Sequence, residues 1–154
     1  MTPEIGKKSP DFSLPREDGT TVSLADFAGK ALVVFFYPRA NTSGCTTEAL
    51  GFSAALPEFE AANTAVIGVS KDSIAQQLKF RDKHGLTVPL LSDENGTMCE
   101  DFGVWQEKQM YGKTHMGIVR STFLIGPDGT IRHIWPKVRV PGHVEEVLDA
   151  VKAL

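Results

Sequence analysis

A continuous run of apolar and aromatic residues at positions 32–37 most constrains how this chain can fold. Strands that are buried on both faces carry such runs, whereas half-exposed strands alternate apolar and polar residues. Pro38 ends the run, because proline has no N–H group to donate to a neighbouring strand. The run therefore predicts the central strand of a sheet that is covered on both sides.

Strand-like and helix-like segments alternate along the chain with short loops, which favours an α/β fold. An Asp18-Gly19 turn joins two short strands near the N-terminus and predicts a β-hairpin. Pro57 lies inside the first helical pattern and predicts that this helix is kinked or divided. The remaining patterns predict strands at 65–70, 88–91, 121–125 and 130–135, and helices from about 44 onward, at 73–84, at 93–102 and at 143–154.

The chain has 154 residues and a net charge of -3, with 42% hydrophobic content. This length lets one domain bury a hydrophobic core, so we expect residues 1–154 to form a single domain. The charge gives no attraction to phosphate backbones or anionic lipid, and no apolar run approaches the roughly 20 residues that span a bilayer. We therefore expect no nucleic-acid or membrane partner. Two cysteines and no signal-peptide pattern favour the reducing cytoplasm.

Cys45 lies where the predicted central strand leads through a turn into a helix. A thiol attacks electrophiles as the thiolate, and the positive end of a helix, with its unpaired N–H groups, favours that form. The alternative is a structural cysteine, since free cysteine is among the most buried residue types. The position of Cys45 at a helix start indicates cysteine redox chemistry.

Pro38, Thr42 and Cys45 form the pattern Pro-x-x-x-Thr-x-x-Cys, through which the chain resembles the peroxiredoxins, the thiol peroxidases. It looks like the Q-type, or bacterioferritin comigratory protein, group through further segments at 11–15, 91–93, 102–105 and 120–125. The resemblance implies a thioredoxin-like fold: a central mixed β-sheet flanked by helices, with an N-terminal β-hairpin. It also implies reduction of hydrogen peroxide and organic hydroperoxides through a sulfenic acid at Cys45, without a cofactor.

Peroxide reduction needs donors that hold the O–O bond in line with sulfur and that stabilise charge on the leaving oxygen. We expect the Thr42 hydroxyl to face the sulfur and bond both thiolate and peroxide, as the matching family threonine does; a helix N-cap is its alternative role. The resemblance implies that the Pro38 ring shields the thiolate from water. Its alternative role is to end the strand.

Arg120 stands just before residues 121–123, where the resemblance places the active-site arginine. A guanidinium can donate two hydrogen bonds at once, to sulfur and to a peroxide oxygen. Glu48 follows Cys45 by three residues and is expected either to order the arginine or to be an ordinary acid of the first helical turn. We expect Arg39 and the lysines at 108 and 113 to be solvated surface charges.

Two positions depart from the family pattern. Ser43 replaces a common proline, and Leu50 stands where many Q-type members carry a resolving cysteine, so the short-range disulfide of the family is impossible. Cys99 is the only other thiol. Its helical spacing with Met98 and Phe102 favours core packing, and a resolving role is the alternative, for which the Cα atoms must come within about 7 Å.

We therefore expect a one-cysteine cycle in which thioredoxin, a glutaredoxin or a small thiol reduces the sulfenic acid, with resolution by Cys99 as the alternative. A peroxide-sensing binding protein of the same fold would use the same cysteine as a signal, without catalytic turnover. A thioredoxin-type disulfide oxidoreductase lacks support, because there is no Cys-x-x-Cys. The histidines show no metal-site spacing, and we expect a monomer rather than a dimer.

Overall fold

The structure, a computed structural model, describes residues 3–154. Those residues form nine β-strands: β1 (Ser13–Pro15), β2 (Thr21–Ser23), β3 (Ala31–Phe36), β4 (Thr64–Ser70), β5 (Leu90–Ser92), β6 (Trp105–Met110), β7 (Lys113–Ile118), β8 (Ser121–Ile125) and β9 (Ile131–Trp135). They also form four α-helices: α1 (Ser43–Ala61), α2 (Ile74–His84), α3 (Met98–Asp101) and α4 (His143–Lys152). A short 3-10 helix, Leu24–Phe27, follows β2.

Five strands form the central sheet in the order β5-β4-β3-β8-β9. β3 pairs in parallel with β4 and antiparallel with β8, so the sheet is mixed. All six residues of β3 are buried, which confirms the apolar run as the central strand. The predicted N-terminal hairpin is also confirmed, because β1 and β2 pair antiparallel.

Side chains of β3 alternate between two hydrophobic cores, one on each face of the sheet. Val33 and Phe35 belong to the first core, to which α1, α2 and α4 contribute. Val34 and Phe36 belong to the second core, to which β1 and α3 contribute. Successive residues of a strand point to opposite faces, so a strand covered on both sides has to be apolar throughout.

Helix α2 begins and ends where its sequence predicts. The Ser73 hydroxyl accepts a hydrogen bond from the backbone N–H of Gln76 at 3.2 Å, and the Gln76 side chain accepts one from the Ser73 N–H at 2.9 Å. Gly85 follows the helix with a φ of 63°, a left-handed conformation that glycine adopts at little cost. The two ends of α2 are thereby fixed, and Gln77 on this helix is fully buried.

Helix α1 runs unbroken through Pro57, so of the two predicted effects of this proline, a kink or a division, the division is wrong. A proline has no N–H group for the carbonyl four residues earlier, which is that of Ser53. The Thr87 hydroxyl donates a hydrogen bond to this carbonyl at 3.3 Å. A partner from a neighbouring loop thus replaces the missing helical bond.

The helix predicted at 93–102 is much shorter in the structure, where α3 covers Met98–Asp101. The Asp93 carboxylate accepts hydrogen bonds from the backbone N–H groups of Met98 at 3.2 Å and Cys99 at 2.8 Å. An aspartate that caps the free N–H groups of a helix start has to precede the helix. Residues 94–96 accordingly form a bend rather than a helical turn.

The hairpin of β6 and β7 was not predicted from the sequence. Tyr111 and Gly112 connect its strands, with φ values of 52° and 75° that suit a tight hairpin turn. The strands are mostly polar and exposed, so they lack the apolar alternation that marks a half-buried strand. This hairpin leads directly to Arg120.

Candidate active site

Cys45 lies in the first turn of α1, whose N-cap residue is Thr42. The side chain is only 1% exposed and packs in the first core, where it shares surroundings with Phe35 and Phe52. The first N–H groups of a helix have no partner within the helix and carry a positive partial charge. The sulfur is therefore sheltered from bulk water at the positive end of a helix that starts beside the central strand.

Arg120 connects Cys45 and Glu48. Its Nη2 donates a hydrogen bond to the Cys45 Sγ at 3.1 Å, and its Nη1 donates one to the Glu48 Oε1 at 2.8 Å. The sheet brings these distant residues together, because Ser121 at the start of β8 pairs with Phe36 at the end of β3. The structure thus assembles three of the six residues singled out in the sequence, Cys45, Glu48 and Arg120.

Glu48 is fully buried next to this guanidinium. Burial raises the pKa of Glu48 from 4.5 to about 7, although the charge of Arg120 and its hydrogen bond act in the opposite direction. Its Oε2 atom has no hydrogen-bond partner among residues 3–154. Near neutral pH the Glu48 carboxyl group can therefore hold a proton, and the Arg120 guanidinium lies between this group and the Cys45 sulfur.

Gly44 makes room for the arginine. A Cβ atom at this position would lie 3.2 Å from the Arg120 Nη2, closer than most such contacts in proteins. The backbone of the first turn therefore approaches the guanidinium directly. The glycine before the cysteine has a packing function that its sequence context did not predict.

Thr42 does not make the contact expected for it. Its hydroxyl donates a hydrogen bond to the Arg39 carbonyl at 2.8 Å, and neither the expected bond to the Cys45 sulfur nor a side-chain N-cap bond is formed. Asn41, with a φ of 64°, turns the backbone so that this carbonyl lies within reach of the hydroxyl. The Thr42 oxygen keeps its lone pairs, so it can still accept a hydrogen bond from a peroxide O–H.

Pro38 follows β3 and is exposed, in agreement with a residue that ends the strand. Arg39 is exposed, as expected for a surface charge. Lys108 differs from the expectation, because it is half-buried and its carbon chain crosses Gly117, where a Cβ atom would lie 3.2 Å from the Lys108 Cδ. Burial and then the positive charge of Arg120 lower the pKa of Lys108, so this lysine belongs to the surroundings of the site.

Cys99 lies in the second core, on the face of the sheet opposite to Cys45. Both cysteines are free thiols. Burial and the nearby Asp93 carboxylate raise the pKa of Cys99 far above its ordinary value. The structure therefore separates Cys99 from the residues around Cys45, and its surroundings favour the protonated thiol.

A second polar pair lies within the first core. The Nε2 atom of His143 and the Thr122 hydroxyl form a hydrogen bond of 2.8 Å, and the imidazole packs edge-on against Phe52 and Trp135. Burial lowers the pKa of His143. The spacing of the histidines in the sequence indicated only that they lack the pattern of a metal site, and it did not predict this pair.

Among residues 3–154 the structure contains no cluster of side chains suited to a metal ion. No helix among these residues has the length and apolar content to cross a bilayer.

A sheltered cysteine that is hydrogen-bonded to a guanidinium at a helix start is the arrangement of a thiol-dependent redox enzyme. Residues 5–134 match the sequence profile of the AhpC/TSA family, and the chain belongs to this family. It is 47% identical over 143 residues to Peroxiredoxin Bcp of Xanthomonas campestris, covering 93% of this chain and 89% of the relative. It is 45% identical over 152 residues to Peroxiredoxin Bcp of Bacillus subtilis, covering 99% of this chain and 97% of the relative.

Solved structures agree with this assignment. A Cys-to-Ser mutant of PrxQ from Xylella fastidiosa superposes with a TM-score of 0.94 at 43% identity, over 99% of this chain and 98% of that chain. The bacterioferritin comigratory protein of Xanthomonas campestris superposes with a TM-score of 0.91 at 44% identity, over 97% and 98% of the two chains. The predicted thioredoxin-like fold and the peroxiredoxin resemblance are confirmed, and the chain is a thiol-dependent peroxidase.

Proposed function

We propose that Cys45 is the residue that attacks the peroxide. The thiolate sulfur forms a bond to the terminal peroxide oxygen, the O–O bond breaks, and the leaving oxygen takes up a proton and departs as water or an alcohol. The product on the protein is a Cys45 sulfenic acid. The observation that carries this proposal is the 3.1 Å hydrogen bond from the Arg120 Nη2 to the Cys45 Sγ.

Arg120 serves this step as a fixed positive charge. A hydrogen bond from a guanidinium favours the thiolate over the thiol, and the same planar group can bond a peroxide oxygen in the transition state. Glu48 orients the guanidinium through the 2.8 Å bond to Nη1. Thr42 accepts a hydrogen bond from the peroxide O–H, and Pro38 limits the access of water.

An external thiol then reduces the sulfenic acid. The thiol attacks the Cys45 sulfur, water leaves, and a second thiol resolves the mixed disulfide and restores Cys45. Thioredoxin, a glutaredoxin or a small thiol can supply these electrons. The position of Cys99 in the opposite core supports this one-cysteine cycle, and Leu50 removes the alternative of a short-range partner on α1.

Hydrogen peroxide and organic hydroperoxides are the proposed substrates. An open groove of about 780 Å³ begins beside the site at Ser43 and Gly44 and continues between α1 and α4 along Gly51, Ala54, Val144 and Leu148. Its apolar walls suit an alkyl group attached to the peroxide. The related Xanthomonas campestris protein is described for its alkyl peroxide reduction activity, which supports the same substrate class here.

We propose that the protein is a monomer with a single domain and that it acts in the cytoplasm. Two free cysteines suit a compartment in which thiols are kept reduced. We place residues 1–154 in one domain, because the strands of the central sheet come from residues 31–135 and segments before and after this range cover its two faces.

Replacement of the sulfur tests this function. Cys45→Ser keeps the shape of the side chain but has no accessible anion near neutral pH, so peroxide-dependent oxidation of a thiol reductant should stop. Cys99→Ser is the matched control and should retain activity. Circular dichroism and thermal unfolding check that both variants are folded. Residual turnover of more than a few per cent in folded Cys45→Ser would overturn the proposal.

A further inference from the structure

The segment 38–42 leads from the central strand to the Cys45 helix and has few fixed contacts of its own. The Thr42 hydroxyl bonds the Arg39 carbonyl within the segment, and the Thr42 carbonyl accepts the first helical bond from the Thr46 N–H. Asn41 adopts a left-handed φ of 64°, a conformation that costs energy for residues other than glycine, although less for asparagine. Ala40 packs against the first core, and beyond this packing the segment depends on an outside hydrogen bond to keep its shape.

Asp72 provides that contact. Its Oδ2 atom accepts a hydrogen bond of 2.7 Å from the backbone N–H of Ala40. Among the residues that the structure describes, this is the only hydrogen bond that joins segment 38–42 to a residue outside both the segment and α1. A hydrogen bond to a charged acceptor is stronger than one between neutral groups.

Asp72 is itself fixed from several directions. The Ser70 hydroxyl donates to the same Oδ2 atom at 2.7 Å, and the Ser92 hydroxyl donates to the Asp72 carbonyl at 2.6 Å. Gln77 on α2 donates from Nε2 to the Ser70 hydroxyl at 2.9 Å. The residue is thus held at the ends of β4 and β5 and at the first turns of α2.

The same chain of bonds returns to the central strand. Tyr37, which directly precedes the segment, donates its phenolic O–H to the Oε1 atom of Gln77. Tyr37, Gln77 and Ser70 are fully buried, so their polar groups have no water to replace a lost partner. The network therefore joins both the start of the segment and its middle, at Ala40, to one rigid corner of the sheet.

We propose that Asp72 is a positioning residue that keeps the Cys45 turn closed through its bond to the Ala40 N–H. This inference rests on the proposed function of Cys45. Hydrogen peroxide is small enough to react at the closed site. A bulky thiol or disulfide reagent has to reach the Cys45 side chain, which is only 1% exposed. The turn therefore has to open for a protein reductant, and Asp72 sets how often it does so.

Hydrogen exchange of the Ala40 amide measures this opening without any reference to activity. In Asp72→Ala the amide loses its acceptor, and its exchange rate should rise by about tenfold to a hundredfold. Amides of β3 and β4 should keep their protection. Asp72→Asn keeps an oxygen in place but loses the charge, so it should restore most of the protection. Asp82→Ala removes an exposed acid from α2 and should change nothing.

The reaction of Cys45 with 5,5′-dithiobis(2-nitrobenzoate) provides the second readout, and peptide mass spectrometry locates the label. This reagent is too large for the closed site, so its rate at Cys45 should rise by the same factor as Ala40 exchange. The rate with hydrogen peroxide should change far less, because most molecules remain closed. A residue with only a general structural role would change all three rates and the protection of the sheet together.

Three results would overturn the proposal: unchanged Ala40 exchange in Asp72→Ala, faster exchange throughout the central sheet, or a Cys45 labelling rate that does not follow Ala40 exchange. The proposed function fails separately, if Cys45 of the unmodified chain does not react with peroxide. If Asp72→Ala has the same peroxide rate and the same labelling rate as the wild type, the function of Cys45 stands and the role of Asp72 is rejected.

Discussion

Cys45 and Cys99 lie on opposite faces of the central sheet. Cys45 packs in the core that receives Val33 and Phe35, and Cys99 packs in the core that receives Val34 and Phe36. A disulfide requires Cα atoms within about 7 Å of each other, and here the buried strand β3 lies between the two cores. A disulfide between these cysteines would require the loss of native packing on at least one face, which favours reduction of Cys45 by an external thiol.

Replacement of Cys99 by serine should therefore leave turnover with an external thiol within about twofold of the wild-type value. The change should lower the free energy of unfolding by about 1–2 kcal/mol, because a smaller and more polar side chain replaces a buried thiol. Peroxidase assays and urea unfolding measure the two effects. Loss of thioredoxin-dependent turnover in a folded variant would show that Cys99 resolves the sulfenic acid.

Arg120→Met should slow the reaction of Cys45 with peroxide by about 10²-fold or more, because the transition state loses a charged donor. Arg120→Lys should react at a rate between those of the wild type and Arg120→Met, since an ammonium group does not reproduce the forked bonds to Cys45 and Glu48. Stopped-flow kinetics of peroxide consumption provides the measurement. Arg39→Met removes an exposed arginine near the site and is the matched control. Equal effects of the two methionine variants would contradict the assigned role.

Glu48 should give the protein a distinctive pH dependence of stability. Burial raises the pKa of Glu48 from 4.5 to about 7, so between these pH values the folded protein holds a proton that the unfolded chain has released. The contribution of this group to the free energy of unfolding therefore falls as the pH rises through this window. Glu48→Gln does not titrate and should lack this fall.

Urea unfolding of the wild type and Glu48→Gln at pH 4 and pH 8 tests this expectation. The stability of the wild type relative to the variant should decrease by roughly 2–3 kcal/mol from the lower to the higher pH. A stability difference that stays constant across this range would mean that Glu48 titrates normally in the folded protein.

Patterns that are local in the sequence predicted local structure well. The apolar run of β3 and the two ends of α2 appear at the predicted places, because burial and capping act within a few residues. Arg120 follows Cys45 by 75 residues, and only the resemblance of the chain to the family predicted that this arginine belongs to the site. No local signal shows that β8 will pair with β3 and so deliver the guanidinium to the sulfur.

The features that the sequence did not predict depend on partners in distant segments. Pro57 remains helical because Thr87 supplies a donor from another loop, and the hydroxyl of Thr42 turns to a carbonyl presented by the left-handed Asn41. Lys108 reaches the surroundings of the site through a polar hairpin that lacks apolar periodicity. The Asp72 contact with Ala40 joins segments that no spacing rule connects.

Mass spectrometry of the intact protein after one equivalent of hydrogen peroxide distinguishes the one-cysteine cycle from a cycle that uses both cysteines. We expect the addition of one oxygen atom, which dimedone traps at Cys45 in the wild type and in Cys99→Ser but not in Cys45→Ser. Loss of both thiol hydrogens in the wild type, with a peptide that links Cys45 to Cys99, would contradict the one-cysteine cycle. Oxygen that is trapped at Cys99 instead would contradict the assignment of Cys45 itself.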